Sequence, residues 1–344
     1  MILGTNGGFP AQVRPELAAL DVTQMRGLEI GPLASPRVRK TDGSVLYVDH
    51  AGTEELKRKY ASDQGMRGRL DQIVDVDYVI GDGQTIAEAV ALEAPFDYVI
   101  ASHVIEHIPD PLGWMADLEH VLRPGGILSL VIPDKRYCFD INRSLTEISD
   151  LVDANLRHLR QPTYRQVYDF YSKALIDMVD TAAVWAGTAD YSLVVPQDCD
   201  DPDAAGLDAC RRMQQSDAFV DVHCQVFTPD SFLALFEKLM HLGLVDFEIA
   251  EFFPTQVNTL EFYVSLRLLG SLGDRTAMLQ SQRASLARVR AELRANDSPS
   301  ASPERRLVTM PVSQLEERLL LFKRRAIGRV RATLNRSGND AVPR

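Results

Sequence analysis

Over the first 135 residues, short β-rich runs alternate with helical stretches, and run after run ends on a glycine or an acid. No other feature constrains the fold as strongly, because strands separated by helices read as a parallel sheet with covering crossovers. Gly27-Leu28-Glu29-Ile30-Gly31 is an apolar run closed by glycine, and Val45-Leu46-Tyr47-Val48-Asp49 is one closed by an acid. Residues 77–80 lead into Gly81-Asp82-Gly83, and residues 96–100 into Ala101-Ser102-His103. Met115, Leu118 and Leu122 share a helical face that Pro124-Gly125-Gly126 terminates, and residues 127–132 form a fifth strand before Pro133-Asp134.

The rhythm breaks at 137–222, where helices are expected around 145–160 and 163–184, then an acidic loop at 198–208. It resumes at Thr228-Pro229, with proline in the first turn of a helix. Phe232, Leu235, Phe236, Leu239 and Met240 give that helix its apolar face, and Gly243 ends it. Two strands follow at 245–252 and 259–266, joined by a loop too short for a crossover and therefore antiparallel. The expected division is a sheet domain from 1–136 and 223–269, an inserted substrate cover at 137–222, and a basic helical tail at 270–344. The tail carries two helical patterns around a Ser/Pro/Asp-rich linker near 296–303. In the second pattern Leu315, Leu319, Phe322, Ile327 and Val330 form a seam opposite Arg318, Arg324, Arg325 and Arg329.

Of the 37 Lys/Arg and 48 Asp/Glu in the chain, residues 271–344 hold 15 and 7, which leaves an acidic body and a basic tail. An acidic body argues against a nucleic-acid surface. An amphipathic basic helix can pack on the body or on a second copy in a homo-oligomer, or rest peripherally on an anionic membrane. Packing on protein is the stronger expectation, since the seam is narrow and lacks Trp. No apolar run is long enough to cross a bilayer, and residues 1–10 show no secretory pattern. Cys138, Cys199, Cys210 and Cys224 form neither a CxxC pair nor a zinc spacing, so reduced thiols of a cytoplasmic protein are expected.

In open α/β sheets, ligands settle outside the carboxyl ends of the strands, where strand order reverses. Glycine there admits a cofactor against backbone, and an acid after the second strand can accept ribose hydroxyls. Glu29, Gly31, Asp49 and Asp82 mark three successive strand ends in this way, which points to a nucleotide-type cofactor. Together with Phe96-Asp97-Tyr98-Val99-Ile100, Ile105-Glu106-His107-Ile108-Pro109-Asp110 and Leu122-Arg123-Pro124-Gly125-Gly126, they resemble the motifs of the type-11 methyltransferase family. The resemblance covers residues 25–135 well and 228–268 more loosely. It implies a Rossmann-like α/β fold with a seven-strand sheet and S-adenosyl-L-methionine as cofactor. By the same resemblance Glu29 and Gly31 would hold the methionine end, Asp49 the ribose and Asp82 the adenine. Ser102 and His103 would line the gap to the acceptor. One departure is Pro32-Leu33-Ala34-Ser35-Pro36, where the family continues with glycine. Pro133-Asp134-Lys135-Arg136-Tyr137 and His223-Cys224-Gln225-Val226-Phe227 are also similar to methyltransferases of bacterial polysaccharide and glycosylation pathways. That similarity implies O-methylation of a sugar-like or other small hydroxylated acceptor.

His103 and His107 are candidate general bases, since imidazole can remove a hydroxyl proton near neutral pH. Asp134 either orients an acceptor hydroxyl or simply pairs with Arg136. His103, Glu106 and His107 also form a candidate divalent-metal set, softer than a magnesium site. Structural packing of His107 and helix capping by Glu106 are the favoured alternative, so no metal ligand is assigned. Tyr164, Tyr168 and Tyr171 share a helical face that reads as packing rather than a sugar platform. Two other classes compete. A non-catalytic binding protein on the same fold is favoured by the proline-containing loop, while a nicotinamide-dependent oxidoreductase lacks its GxGxxG after the first strand.

Overall fold

A computed structural model describes residues 14–63, 65–192, 194, 196, 201–270 and 275–297. Strands β1 (Arg26–Ile30), β2 (Ser44–Asp49), β3 (Tyr78–Val79), β4 (Phe96–Ser102) and β5 (Leu122–Pro133) pair in parallel. Strands β6 (Phe247–Phe253) and β7 (Glu261–Leu268) form the expected antiparallel hairpin, with β7 lying between β5 and β6. The order β3-β2-β1-β4-β5-β7-β6 reverses between β1 and β4, so the ligand crevice of this sheet opens beyond Ile30 and Ser102.

The central strands are near-continuous apolar runs because both sheet faces are covered. Leu28, Val99, Ile100, Leu128 and Leu130 are fully buried. Helices α1 (Thr53–Lys59), α2 (Ile86–Ala89) and α3 (Pro111–Val121) are the crossovers of the first half. The Asp110 carboxylate accepts the Gly113 N–H and fixes where α3 begins, with Pro111 at the first position.

The insertion contains α4 (Ile148–Leu156), α5 (Tyr164–Lys173), α6 (Thr181–Trp185) and α7 (Pro202–Gln214). The single helix expected over 163–184 stops at Ala174, where the backbone turns extended and the Leu175 N–H goes to the Phe139 carbonyl. The acidic loop is also corrected: from Asp201 onward those acids belong to α7. Asp201 caps it through the Ala204 N–H, and Asp203 sits in the first turn, where a carboxylate complements the helix dipole. Helices α5 and α7 pack through Val167, Phe170 and Ala209 against Val222 and Cys224. Tyr171 joins that cluster and Tyr168 donates to Asp203, so two of the three tyrosines are structural, while Tyr164 is half exposed.

Helix α8 (Pro229–Leu242) begins on a Thr228–Ser231 capping box and ends on Gly243 at φ 74°, a left-handed cap that glycine adopts without strain. Helix α9 (Arg275–Asp297) departs from the expected tail. Strand β6 is a sheet edge, and α9 covers it: Gln282 Nε2 donates to the Val245 and Phe247 carbonyls at 2.9 and 3.0 Å. The Ile249 N–H goes to Ser285 Oγ, and Arg288 reaches the carbonyls of Ile249 and Ala250. Met278, Leu286 and Val289 are buried. The compact sheet unit therefore runs to Arg290, not to 269, because an uncovered edge strand exposes unpaired backbone groups. The second unit spans Ala291–Arg344, and the seam at 315–330 lies outside the described residues. Among the described residues no helix is long and apolar enough to cross a membrane. Cys138, Cys210 and Cys224 are free thiols; Cys199 lies outside the described residues.

Candidate functional site

Gly31 ends β1 at φ 61° and donates its N–H to the Val48 carbonyl, a conformation that strains residues with a side chain. Beside it, Asp49 is buried. Its Oδ1 accepts the His50 N–H at 2.7 Å and lies 2.6 Å from His50 Nδ1, while Oδ2 is buried with no hydrogen-bond partner. A buried carboxylate oxygen without a donor is unfavourable, and a ribose hydroxyl is the kind of group that would satisfy it. Asp82 stands exposed in the turn after β3.

The proline-containing loop changes the first strand end. Glu29 is 1% exposed and accepts the N–H groups of Arg37 at 2.6 Å and Val38 at 3.1 Å. Burial pushes its carboxyl up to about 7 despite those bonds. Arg37 also donates from Nε and Nη2 to Ser102 Oγ at 3.1 and 2.8 Å, and its Nη1 lies 3.8 Å from Glu16. Within the chain, Glu29 holds the loop and Ser102 receives a guanidinium at the crevice. Arg37 carried no motif of its own. The only signal nearby was the prolines at 32 and 36, which fix φ and stiffen the loop that delivers it.

His103 has φ 55°, and its N–H goes to the Val131 carbonyl. The ring lies between two buried carboxylates, with Nε2 2.9 Å from Glu261 Oε1 and Nδ1 3.3 Å from Glu106 Oε1. Burial pushes the imidazole down, but the two carboxylates outweigh it and hold it at about 9. That pairing favours the protonated ring, which disfavours His103 as a resting general base. His107 Nδ1 lies 2.8 Å from Asp221 Oδ1; burial opposes the charge, yet Asp221 raises this ring too. Asp134 is fully buried and bound by Arg136 Nη2 at 2.6 Å and Thr255 Oγ1 at 2.7 Å, while its N–H goes to the Leu260 carbonyl. The Asp–Arg pair is therefore what forms, and Asp134 serves the corner after β5 rather than an acceptor.

One residue 116 positions beyond His107 completes a second cluster. The N–H groups of Cys224 and Gln225 both donate to the Glu106 carbonyl, at 2.6 and 3.0 Å, and Gln225 Nε2 donates to the Ile108 carbonyl. These bonds lay the segment around His223 on the 3-10 turn Ile105–His107. His223 meets His107 edge to face, with ring centroids 4.7 Å apart. One ligand atom each from Glu106, His107 and His223 lies within 4.8 Å of the others. The expected set of His103, Glu106 and His107 is thus not the one assembled: His103 bridges Glu106 and Glu261, and His223 joins Glu106 and His107.

Residues 9–175 match a family model described as "Methyltransferase domain", just under half of the chain. The fold is that of class I methyltransferases. No curated protein matches the sequence. Among solved structures, the glycopeptide N-methyltransferase MtfA complexed with sinefungin is 18% identical, covering 33% of this chain and 48% of that one at a TM-score of 0.23. The CcbJ methyltransferase from Streptomyces caelestis is 12% identical, covering 74% and 92% at 0.35. An S-adenosylmethionine dependent methyltransferase from Mesorhizobium loti is 14% identical, covering 72% and 92% at 0.33. This chain thus spans about half of the first of these. The motifs alone carry the narrower type-11 and glycosylation-pathway likeness.

Proposed function

We propose that this protein is an S-adenosyl-L-methionine-dependent methyltransferase acting on a hydroxyl of a sugar-like or other small acceptor, with residues 137–222 covering that acceptor. The observation that carries the reading is Asp49 Oδ2, a buried, partnerless carboxylate oxygen on the rim of the crevice at the strand-order reversal. Gly31 beside it and the methyltransferase-domain match over 9–175 support the same reading. The bound cofactor supplies an activated methyl on a sulfonium, open to in-line displacement. The protein's part is mainly alignment, because holding donor and acceptor in a reactive geometry can lower the barrier by about 7–11 kcal/mol. Asp49 would fix the ribose and Arg37 the loop across the crevice. His103, partly exposed between Glu106 and Glu261, would face the acceptor hydroxyl.

A second reading, a binding protein that keeps the fold without the chemistry, is favoured by one observation: Glu29 and Ser102 are both taken up by Arg37. One experiment separates the two. The full chain is incubated with methyl-labelled S-adenosylmethionine and panels of soluble saccharides, glycans and phenols, and the products are read by mass spectrometry. Binding of S-adenosylhomocysteine by calorimetry is measured in parallel. Saturable binding with label transfer to an acceptor oxygen supports the enzyme. Binding without transfer across the panels supports the second reading, and absence of binding sinks both.

A further inference from the structure

We propose that Glu106, His107 and His223 form a binding site for a divalent first-row transition cation such as Zn2+, held by two imidazole nitrogens and one carboxylate. Three independent features support it. The first is proximity: one ligand atom from each residue lies within 4.8 Å of the other two. Ligands about 2 Å from a tetrahedral zinc stand about 3.3 Å from one another. Closing around an ion therefore asks each group to move by about 1 Å or less.

The second is Glu106 itself. It is 1% exposed, and both of its carboxylate oxygens are buried without a hydrogen-bond partner. His103 Nδ1 lies 3.3 Å from Oε1 and offsets part of the burial cost from one side. A cation between the carboxylate and the other two rings would give the remaining unbonded oxygen a partner.

The third is how the rings are held. His107 gives Nδ1 to Asp221 at 2.8 Å, and His223 gives Nδ1 to Asp140 at 2.5 Å. Arg143 in turn holds Asp140 at 2.8 Å. Each ring is oriented through one nitrogen by a carboxylate, which leaves Nε2 for a ligand. Metal-bound histidines are typically oriented in this way, by a carboxylate or carbonyl on the other ring nitrogen. Backbone bonds from Cys224 and Gln225 to the Glu106 carbonyl lock the two halves together. Glu106 and His223 are buried, while the side chains of His107 and Asp221 are 34% and 46% exposed, so an ion can reach the cluster from that side. Two imidazoles beside one carboxylate suit zinc, iron, cobalt or nickel better than magnesium or calcium, which prefer all-oxygen sets. Three protein ligands leave a coordination position for water or another oxygen donor.

The site does not depend on the acceptor assigned above, and its test reads metal rather than turnover. The full, untagged chain is stripped with a chelator, checked for a native circular-dichroism spectrum, and titrated with Zn2+ by calorimetry and with Co2+ by visible absorption. One saturable equivalent is expected, with Co2+ bands of nitrogen and oxygen coordination. Glu106→Gln and His107→Ala should abolish it. Asp221→Asn, which leaves all three ligands in place, should weaken affinity by about 10- to 100-fold. His223→Ala and Glu106→Gln alter buried positions, so the half-exposed His107→Ala and Asp221→Asn keep the test decisive if those variants do not fold. Absence of saturable binding by the wild type overturns the proposal, as does binding that His107→Ala leaves unchanged.

Discussion

Replacing Asp49 with alanine tests the cofactor reading at a single oxygen. Oδ1 is already committed to His50, through its N–H at 2.7 Å and its ring at 2.6 Å, so only Oδ2 is free to receive a ligand hydroxyl. One hydrogen bond to a charged acceptor contributes about 1.5–3 kcal/mol, which at 1.4 kcal/mol per tenfold is a loss of about 10- to 150-fold in affinity. The lost contact to the His50 N–H should matter little for folding, because the His50 side chain is 54% exposed and water can take its place. The assay is calorimetry with S-adenosylhomocysteine on wild type and Asp49→Ala, repeated with an analogue lacking a ribose hydroxyl. The deoxygenated ligand should lose affinity for the wild type but not for the variant, since the two changes remove the same bond. An Asp49→Ala protein that melts like the wild type and binds S-adenosylhomocysteine within twofold of it would refute the assignment.

Glu29 yields a pH prediction. Its carboxyl, faced by Arg37, Arg14, Tyr47 and Tyr98, is raised from 4.5 to about 7 mainly by burial. The folded form holds the proton more tightly than the unfolded chain, so the stabilisation is complete below pH about 4.5 and is lost as pH rises through about 7, amounting to about 3 kcal/mol. Glu29→Gln should flatten the denaturation free energy over that window relative to wild type; parallel profiles would show that Glu29 does not titrate there. Gln282→Ala removes the bonds to the Val245 and Phe247 carbonyls at the start of β6 and leaves those groups buried, offset in part by the loss of its own partnerless Oε1. About 2–4 kcal/mol should disappear in urea denaturation, and a loss under 1 kcal/mol would mean that the edge does not need this cap. A chain ending at Gly270 should aggregate, because without α9 the β6 edge and the apolar surface against Met278, Leu286 and Val289 are exposed; a monodisperse, cofactor-binding product in light scattering and calorimetry would show that residues 270–344 are a tail apart from the sheet domain.

The sheet was legible because its signals are local. Five apolar runs with punctuating glycines and acids, then a helix with a capping threonine and a closing glycine, specify strand, helix and direction without knowledge of the partner. The hairpin followed from loop length alone. What local pattern could not show was that β6 ends the sheet and needs a cover, so the helix from Arg275 read as tail although it belongs to the sheet unit as far as Arg290. The same holds for His223. Its motif was visible, but its proximity to Glu106 depends on backbone bonds spanning more than a hundred residues, which no periodicity encodes.

The cofactor rim shows the limit most sharply, because one signal had two outcomes. Glu29 and Asp49 are both acids closing apolar runs, and from sequence both read as ligand contacts. Strand register separates them. Ile30 pairs with Val48 and Glu29 with Tyr47, so Asp49 stands level with Gly31, two residues beyond Glu29. At about 3.3 Å per residue, that places the Glu29 backbone about 6.6 Å deeper in the sheet. A carboxylate at that depth must find donors within the protein, and Glu29 finds them in the Arg37 and Val38 N–H groups. Asp49 is at the rim, where one oxygen is satisfied by His50 and the other is left to be met from outside. The proline-containing loop follows from the same geometry: Glu29 needs backbone donors brought down to it, and a segment stiffened by Pro32 and Pro36 presents two N–H groups side by side with less entropy to lose than a glycine-rich one.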